Sequence, residues 1–231
     1  MPGHITVDGR FCGIAGRGQG GYLAGLVAGH TDQPIQVDFR NAIPLDTPLQ
    51  VFDGGRPFRL IDGDKVIIER RDGSAPGRIP VFVDLEAAEK ARDVAESEPL
   101  PYVGTCFSCG DRPGTLRVHA GPVGDGVFAT PYTPPGWTGS NGIVEPPFVW
   151  APLDCASGWA IAWDPPHPVT VTATLTVQIH ETVEPGAEYV VVADTEPGWR
   201  ARRRMAWSGM YSRAGDLMAS AESMWVRLRT E

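Results

Sequence analysis

A single acidic residue, Asp154, interrupts a long apolar stretch that runs from Phe148 to Trp163. An apolar stretch of this kind predicts a helix that is buried on all sides. A carboxylate in such surroundings is a candidate general base or nucleophile. Asp154 also has a purely structural interpretation. If the helix begins near Ala151, Asp154 lies in its first turn and only favours the helix dipole, by about 0.3–1 kcal/mol.

A second candidate feature is the glycine-rich run before another apolar stretch, Gly20 to Ala28. The first amides of a helix have no partner within the helix, and glycine lets a ligand approach them closely. Such N–H groups stabilise an oxygen that becomes anionic during a reaction. The amides of Gly20 and Gly21 are therefore candidates for polarising a carbonyl group. The Gln19 side chain is a candidate for holding the same carbonyl or a water molecule.

Each apolar stretch is followed by patterns that predict β-strands. After the first stretch, short strands separated by turn residues are predicted at 35–40, 57–61, 65–69 and 79–85. After the second stretch, the sequence alternates between apolar and polar side chains, which is typical of half-buried strands. An antiparallel meander is predicted there, with strands at 169–179, 187–194, 199–212 and 217–228.

The segment between the two halves, Asp84 to Ser97, predicts a polar connector helix because its charges lie three and four residues apart. Pro99 and Pro101 end it. We therefore predict an α+β protein made of two units, each with one buried helix wrapped by a curved antiparallel sheet. The first unit is expected over residues 1–98 and the second over residues 99–231.

Composition excludes several classes of protein. A net charge of −8 disfavours a nucleic-acid-binding protein, which needs a basic face. No apolar stretch reaches the ~20 residues of a membrane-spanning helix. The first ten residues lack the pattern of a signal peptide, so we expect a cytoplasmic protein. The four cysteines do not predict a disulfide scaffold.

Two ligand-binding motifs are considered and disfavoured. The pair Cys106 and Cys109 has half the ligands of a structural zinc site, which takes four. Residues 16–21 match the G-x-G-x-x-G pattern, and Asp38 lies near the expected position of a ribose-binding acid. That pattern requires a buried strand before it and a βαβ unit around it, and residues 4–15 do not predict such a strand. We expect neither a cofactor nor a metal.

Three motifs carry a resemblance to a known family. The run from Cys106 to Arg117 resembles the C-F-x-C-G-x-x-N-x-x-G-L opening of many hot-dog thioesterases, although it lacks the Asn. Leu153 to Ala160 resembles the L-x-D-x-A-x-G-x-A helix of that family, and Phe11 to Tyr22 resembles the glycine-rich start of the same helix. The chain is thus similar to the tandem acyl-CoA thioesterases of the thioesterase II or phenylacetic-acid type. The resemblance implies a double hot-dog fold.

The resemblance also implies a set of site residues. It places Asp154 at the catalytic acid, Thr172 at an assisting threonine and Ser223 at the position of an assisting glutamine. Where the family has His-Gly-Gly before the second helix, this chain has Glu145 followed by two prolines. In the first half the position of the acid is occupied by Ala28.

The first half therefore has the glycine-rich helix start without the acid, and the second half has the acid without the glycines. In hot-dog pairs the helix of one unit meets the glycine loop of the other, so Gln19, Gly20 and Gly21 are expected to form one composite site with Asp154. Contacts to the acyl group are expected from four aromatic residues: Tyr22, Trp150, Trp159 and Trp163. Arg202 and Arg204, which alternate along a strand, are candidates for contacting coenzyme A phosphates. A solvated basic face is the plain alternative for these arginines.

The expected function is hydrolysis of an acyl-CoA or another acyl thioester to a carboxylic acid and a thiol. A catalytically silent acyl-CoA-binding or assembly protein on the same fold is the main alternative. Hydration of an enoyl thioester ranks last, because hot-dog hydratases usually use a histidine with an acid and no histidine occupies the loop that enters either helix here. Further pairing into homo-oligomers is possible, since hot-dog units commonly associate.

Overall fold

The computed structural model describes residues 3–54 and 57–228. Three α-helices occur in these ranges: α1 (Gly20–Ala28), α2 (Leu85–Ser97) and α3 (Pro147–Ala162). The strands are β1 (His4–Thr6), β2 (Ile35–Phe39), β3 (Pro48–Phe52), β4 (Phe58–Asp62), β5 (Lys65–Asp72), β6 (Gly121–Gly124), β7 (Val127–Tyr132), β8 (Gly139–Ser140), β9 (Ile143–Val144), β10 (Thr170–Ile179), β11 (Tyr189–Thr195), β12 (Arg203–Ser212) and β13 (Leu217–Arg227). Within the described ranges, no helix is long and apolar enough to cross a bilayer.

Eleven strands form one antiparallel sheet in the order β1-β3-β4-β5-β2-β10-β13-β12-β11-β7-β6. The two halves of this order repeat one topology. In the first, a strand and helix α1 are followed by β2, β3, β4 and β5; in the second, β7 and helix α3 are followed by β10, β11, β12 and β13. The units join where β2 pairs with β10, from Ile35 opposite Val177 to Asp38 opposite Thr174. The predicted α+β architecture of two fused hot-dog units is confirmed.

The two central helices pack directly against each other. Close approach is possible because α1 carries glycine where it meets α3. A Cβ on Gly21 would lie 2.8 Å from the Trp150 carbonyl oxygen, and one on Gly25 would lie 2.6 Å from the Pro147 Cα. Nearly every residue of α3 is buried, as its apolar sequence predicts.

Helix α2 packs against β6 and β7 of the second unit. Asp84 caps the helix by accepting a hydrogen bond from the Ala87 N–H, and Ala88, Ala91 and Ala95 form its buried face. Gly121 of β6 lies so close that a Cβ there would fall 1.8 Å from the Ala91 carbonyl oxygen. The connector thus contacts the unit that follows it, and the predicted boundary between residues 98 and 99 stays a prediction.

One predicted strand is wrong. Residues 79–84 form no strand, and Leu85 begins α2. This segment crosses the outer face of the sheet and is fixed through side chains rather than through strand pairing. The Phe82 ring packs on Tyr211, and the Tyr211 hydroxyl donates a hydrogen bond to the Pro80 carbonyl. Its run of apolar residues therefore reflects packing on a sheet rather than membership of one.

Candidate functional site

Asp154 lies two turns inside α3, because the helix begins at Pro147 rather than near Ala151. At this depth the helix dipole has little effect, since that effect is confined to the first and last turns. The alternative in which Asp154 only favours the dipole is therefore wrong. The carboxylate is 3% exposed, so another reason is needed for a buried charge at this position.

Three donors hold the Asp154 carboxylate. Oδ2 accepts hydrogen bonds from Gln19 Nε2 at 2.9 Å and from the Gly21 N–H at 3.0 Å. Oδ1 accepts one from the Thr172 hydroxyl at 2.7 Å. The structure thus brings together residues of α1, α3 and β10, from both units, as expected of a composite site. A carboxylate offers about four acceptor positions, so roughly one remains for a water molecule or a ligand.

Burial raises the pKa of Asp154 from 3.8 to about 6. The hydrogen bonds from Thr172, Gly21 and Gln19 act in the opposite direction and limit the rise. A carboxylate with this pKa is a stronger base than an exposed aspartate and is still ionised near neutral pH. Such a shift is typical of carboxylates that exchange protons during catalysis.

Gln19 has two roles at once. It is the N-cap of α1, where its Oε1 accepts a hydrogen bond from the Tyr22 N–H, and its amide nitrogen donates to Asp154. The amide is therefore fixed at both ends. Because the Gly21 N–H donates to Asp154, it is not available to a substrate, which departs from its predicted role. Among the described residues, no acceptor binds the Gly20 N–H, so this amide is left for a ligand.

A pocket of about 310 Å³ opens beside Asp154. Gln19, Gly20 and Thr172 line it together with the carboxylate. The remaining wall is mostly apolar and includes Ile14, Ile43, Leu100, Val103, Trp159 and Trp225. Arg17, Arg40 and Asn41 lie at its exposed side. An apolar cavity with a few convergent polar groups is the usual form of a small-molecule site.

Two predicted site residues lie apart from the carboxylate. The Ser223 hydroxyl bonds to Ser157 Oγ and to the Ala206 carbonyl, and it accepts from Trp225 Nε1 at 2.9 Å. It is thus used in packing β13 against α3. Glu145 lies before α3, where it binds His30 at 2.9 Å and Ser140.

One of the four aromatic residues predicted to contact the acyl group, Trp159, lines the pocket, and Trp225 lines it as well. Trp150, Trp163 and Tyr22 do not line it. Trp150 is fully buried. The Tyr22 ring stacks on Phe11, with 3.8 Å between ring centroids.

The two predicted phosphate-binding arginines differ from each other. Arg202 precedes β12 and is exposed, whereas Arg204 is 8% exposed. The Arg204 guanidinium donates to the Thr195 hydroxyl at 2.6 Å and to the Glu196 carbonyl at 2.9 Å. Both arginines line a separate depression that does not include Asp154. These contacts favour a structural role for Arg204 over coenzyme A binding.

We expect Arg204→Ala to destabilise the protein by about 1–3 kcal/mol, because buried acceptors lose a charged donor. Arg202→Ala is expected to change stability by less than about 0.5 kcal/mol. Urea unfolding of the two variants measures the difference. Unchanged stability in Arg204→Ala, with weaker acyl-CoA binding in both variants, would instead support the phosphate patch.

Sequence reasoning considered Cys106 and Cys109 as half of a zinc site but did not join Cys155 to them. Cys106, Cys109 and Cys155 are all buried, and all three line the same pocket as Asp154. Cys155 lies 49 residues after Cys106, so no local spacing joins it to the C-x-x-C pair. Its position directly after Asp154 on a helix that faces the loop of Cys106 was the available signal.

Two solved structures share this architecture over nearly the whole chain. The tesB protein of Mycobacterium avium subsp. paratuberculosis has a TM-score of 0.59 at 12% identity, covering 93% of this chain and 89% of that one. A conserved protein of unknown function with a hot-dog fold from Alicyclobacillus acidocaldarius has a TM-score of 0.54 at 13% identity, covering 99% and 93%. The sequence matches no family model and no curated protein.

At 12% and 13% sequence identity, the similarity to these two structures establishes the fold alone. The chain is a double hot-dog protein, with both units in one polypeptide. The resemblance to tandem hot-dog thioesterases that the sequence motifs carry is thereby confirmed at the level of the fold.

Proposed function

We propose that this protein hydrolyses an acyl thioester at the single composite site around Asp154. The observation that carries the proposal is the environment of this carboxylate. It is buried at the wall of an apolar pocket, held by Gln19, Gly21 and Thr172, and left with roughly one free acceptor position. Burying a carboxylate has a desolvation cost, and the use of Asp154 as a base explains why this cost is accepted.

The reaction follows from the positions of these groups. Water at the free acceptor position gives a proton to Asp154 while its oxygen attacks the thioester carbonyl. The carbonyl oxygen becomes anionic and is stabilised by the Gly20 N–H at the positive end of α1. When the C–S bond breaks, the proton passes from Asp154 to the leaving thiolate, and the products are a carboxylic acid and a free thiol.

The carrier of the acyl group is proposed to be coenzyme A. Arg17 and Arg40, at the exposed side of the pocket, provide positive charge close to the site. Arg40 also pairs with Asp38 at 3.0 Å and with Glu69 at 2.7 Å, so Arg17 is the more available cation. A cytoplasmic location and association into homo-oligomers stay predictions.

A panel of acyl-CoA substrates of different chain length and aromatic character tests the proposal. Release of free coenzyme A, separated by chromatography, is the measurement, because the protein carries thiols of its own. Turnover of at least one class that depends on Asp154 is expected. Tight binding of acyl-CoA in calorimetry without turnover on any substrate would support a silent binding protein instead.

Thr172 is proposed as a positioning residue that acts through Asp154. Thr172→Val removes the 2.7 Å hydrogen bond and nearly preserves side-chain volume. A hydrogen bond to a charged group contributes about 1.5–3 kcal/mol, so we expect kcat to fall by roughly 10- to 100-fold. Thr172→Ser keeps the hydroxyl and is expected to restore most of the activity. Equal losses in both variants would contradict this role.

A further inference from the structure

The three thiols beside the pocket form a compact cluster. The sulfur atoms of Cys106, Cys109 and Cys155 all lie within 4.8 Å of one another, and those of Cys106 and Cys155 are 3.8 Å apart. Two thiolates on a tetrahedral zinc ion, with Zn–S bonds of about 2.3 Å, are separated by about 3.8 Å. The separation of the Cys106 and Cys155 sulfur atoms thus equals that of two ligands on one zinc ion, and the Cys109 sulfur lies within 4.8 Å of both.

We propose that Cys106, Cys109 and Cys155 bind one Zn²⁺ ion through their three thiolates, with the fourth coordination position open to the pocket. Three protein ligands and one open position are the arrangement of zinc sites that exchange their fourth ligand. Thiolates select zinc over the hard cations that carboxylates bind. This inference does not rest on thioester hydrolysis.

The loop that carries two of the ligands is built rigidly. The Gly110 N–H donates to the Cys106 carbonyl at 2.8 Å, which closes a tight turn around the C-x-x-C pair. A Cβ on Gly110 would lie 2.5 Å from that same carbonyl oxygen, so the turn requires glycine. The Ser108 hydroxyl then donates to the Ala151 carbonyl at 3.1 Å and fixes the loop to α3, which carries Cys155. The ligands are therefore held in place before a metal arrives.

Hydrogen-bond donors surround the sulfur atoms. Gln19 Nε2 lies 3.6 Å from the Cys155 sulfur. The Trp159 indole nitrogen is buried and has no acceptor among residues 3–54 and 57–228, and Trp159 lines the same pocket as the three thiols. Three thiolates around Zn²⁺ carry one net negative charge, and N–H donors to sulfur stabilise such a charge in a buried site.

Cys12 offers a matched control. It is buried like the other three, but it is outside the cluster, and its thiol donates to the Thr105 carbonyl at 2.8 Å. The full-length protein and the variants Cys109→Ser and Cys12→Ser are to be reduced, stripped with a chelator and titrated with Zn²⁺. Bound metal is measured by mass spectrometry after gel filtration, and folding is checked by circular dichroism.

We expect about one Zn²⁺ per chain in the wild type and in Cys12→Ser, and loss of bound Zn²⁺ in Cys109→Ser. No retained Zn²⁺ in the wild type, or equal retention in Cys109→Ser, would overturn the proposal. Titration of the wild type with Co²⁺ keeps the test valid if Cys109→Ser does not fold. A sulfur-to-cobalt charge-transfer band with intense tetrahedral bands is expected, and the weak spectrum of octahedral Co²⁺ would reject the site.

Discussion

Replacement of Asp154 by Asn is expected to lower kcat for acyl-thioester hydrolysis by about 10²–10⁴-fold, the usual contribution of a general base. Asn has the shape of Asp but cannot accept a proton from water. It must also turn its NH₂ group towards one of the donors that now hold the carboxylate, either Gly21, Gln19 or Thr172. Both effects act on the chemical step, so KM is expected to change much less than kcat.

Asp194 supplies the control for this substitution. It is a buried aspartate on β11 that pairs with Arg78 at 2.8 Å, and burial raises its pKa as it does for Asp154. It does not line the pocket. Asp194→Asn is expected to keep kcat within about threefold of the wild type while losing some stability, because its buried carboxylate loses the ion pair with the half-exposed Arg78.

Asp154→Asn and Asp194→Asn are expected to differ in their stability towards urea. Asp154 has no cationic partner among the described residues, so removing its buried charge relieves a desolvation cost. The donor that loses its acceptor opposes this gain, so Asp154→Asn is expected to unfold at about the same urea concentration as the wild type. An Asp154→Asn protein that hydrolyses acyl-CoA at the wild-type rate would eliminate the proposed base.

The helices and the strands that follow α3 were predictable because their patterns are strong. Gly20–Ala28 and Pro147–Ala162 are apolar without interruption apart from Asp154, and β10 alternates along its whole length. Strands β3, β6 and β7 were not predicted individually. They are short, and each contains proline or glycine, which weakens the strand signal.

The pairing of Gln19 with Asp154 was expected from the resemblance, in which the helix of one unit meets the glycine loop of the other, and Gln19 Nε2 does donate to Asp154. The resemblance also pointed to Thr172, whose hydroxyl donates to Asp154 Oδ1, and its assisting role stays a prediction. Ser223, which the resemblance also pointed to, makes no hydrogen bond with Asp154 in the structure. The Trp225 ring occupies the space over Gly158, where a Cβ on Gly158 would lie 2.8 Å from that ring. No pattern in one sequence reveals which side chain fills such a space.

Gly21→Ala is expected to affect stability and activity together, because the new methyl group has no room. A Cβ at this position would lie 2.7 Å from the Asp154 Cβ and 2.9 Å from the Ala151 Cα, and both neighbours belong to the buried helix α3. Neither can move without separating the two helices. Overpacking of this kind costs about 1–3 kcal/mol, which urea unfolding measures.

Gly25→Ala separates the structural effect from the catalytic one. It lies one turn further along α1, and its Cβ would meet Pro147 and Pro146 at 2.6–2.8 Å, so it strains the same helix contact away from the carboxylate. A similar loss of stability is expected. Activity per folded molecule should persist in Gly25→Ala and fall at least tenfold in Gly21→Ala, since displacing α1 moves the Gly21 N–H and Gln19 away from Asp154. Equal activity in the two variants would mean that the contact between α1 and Asp154 serves folding alone.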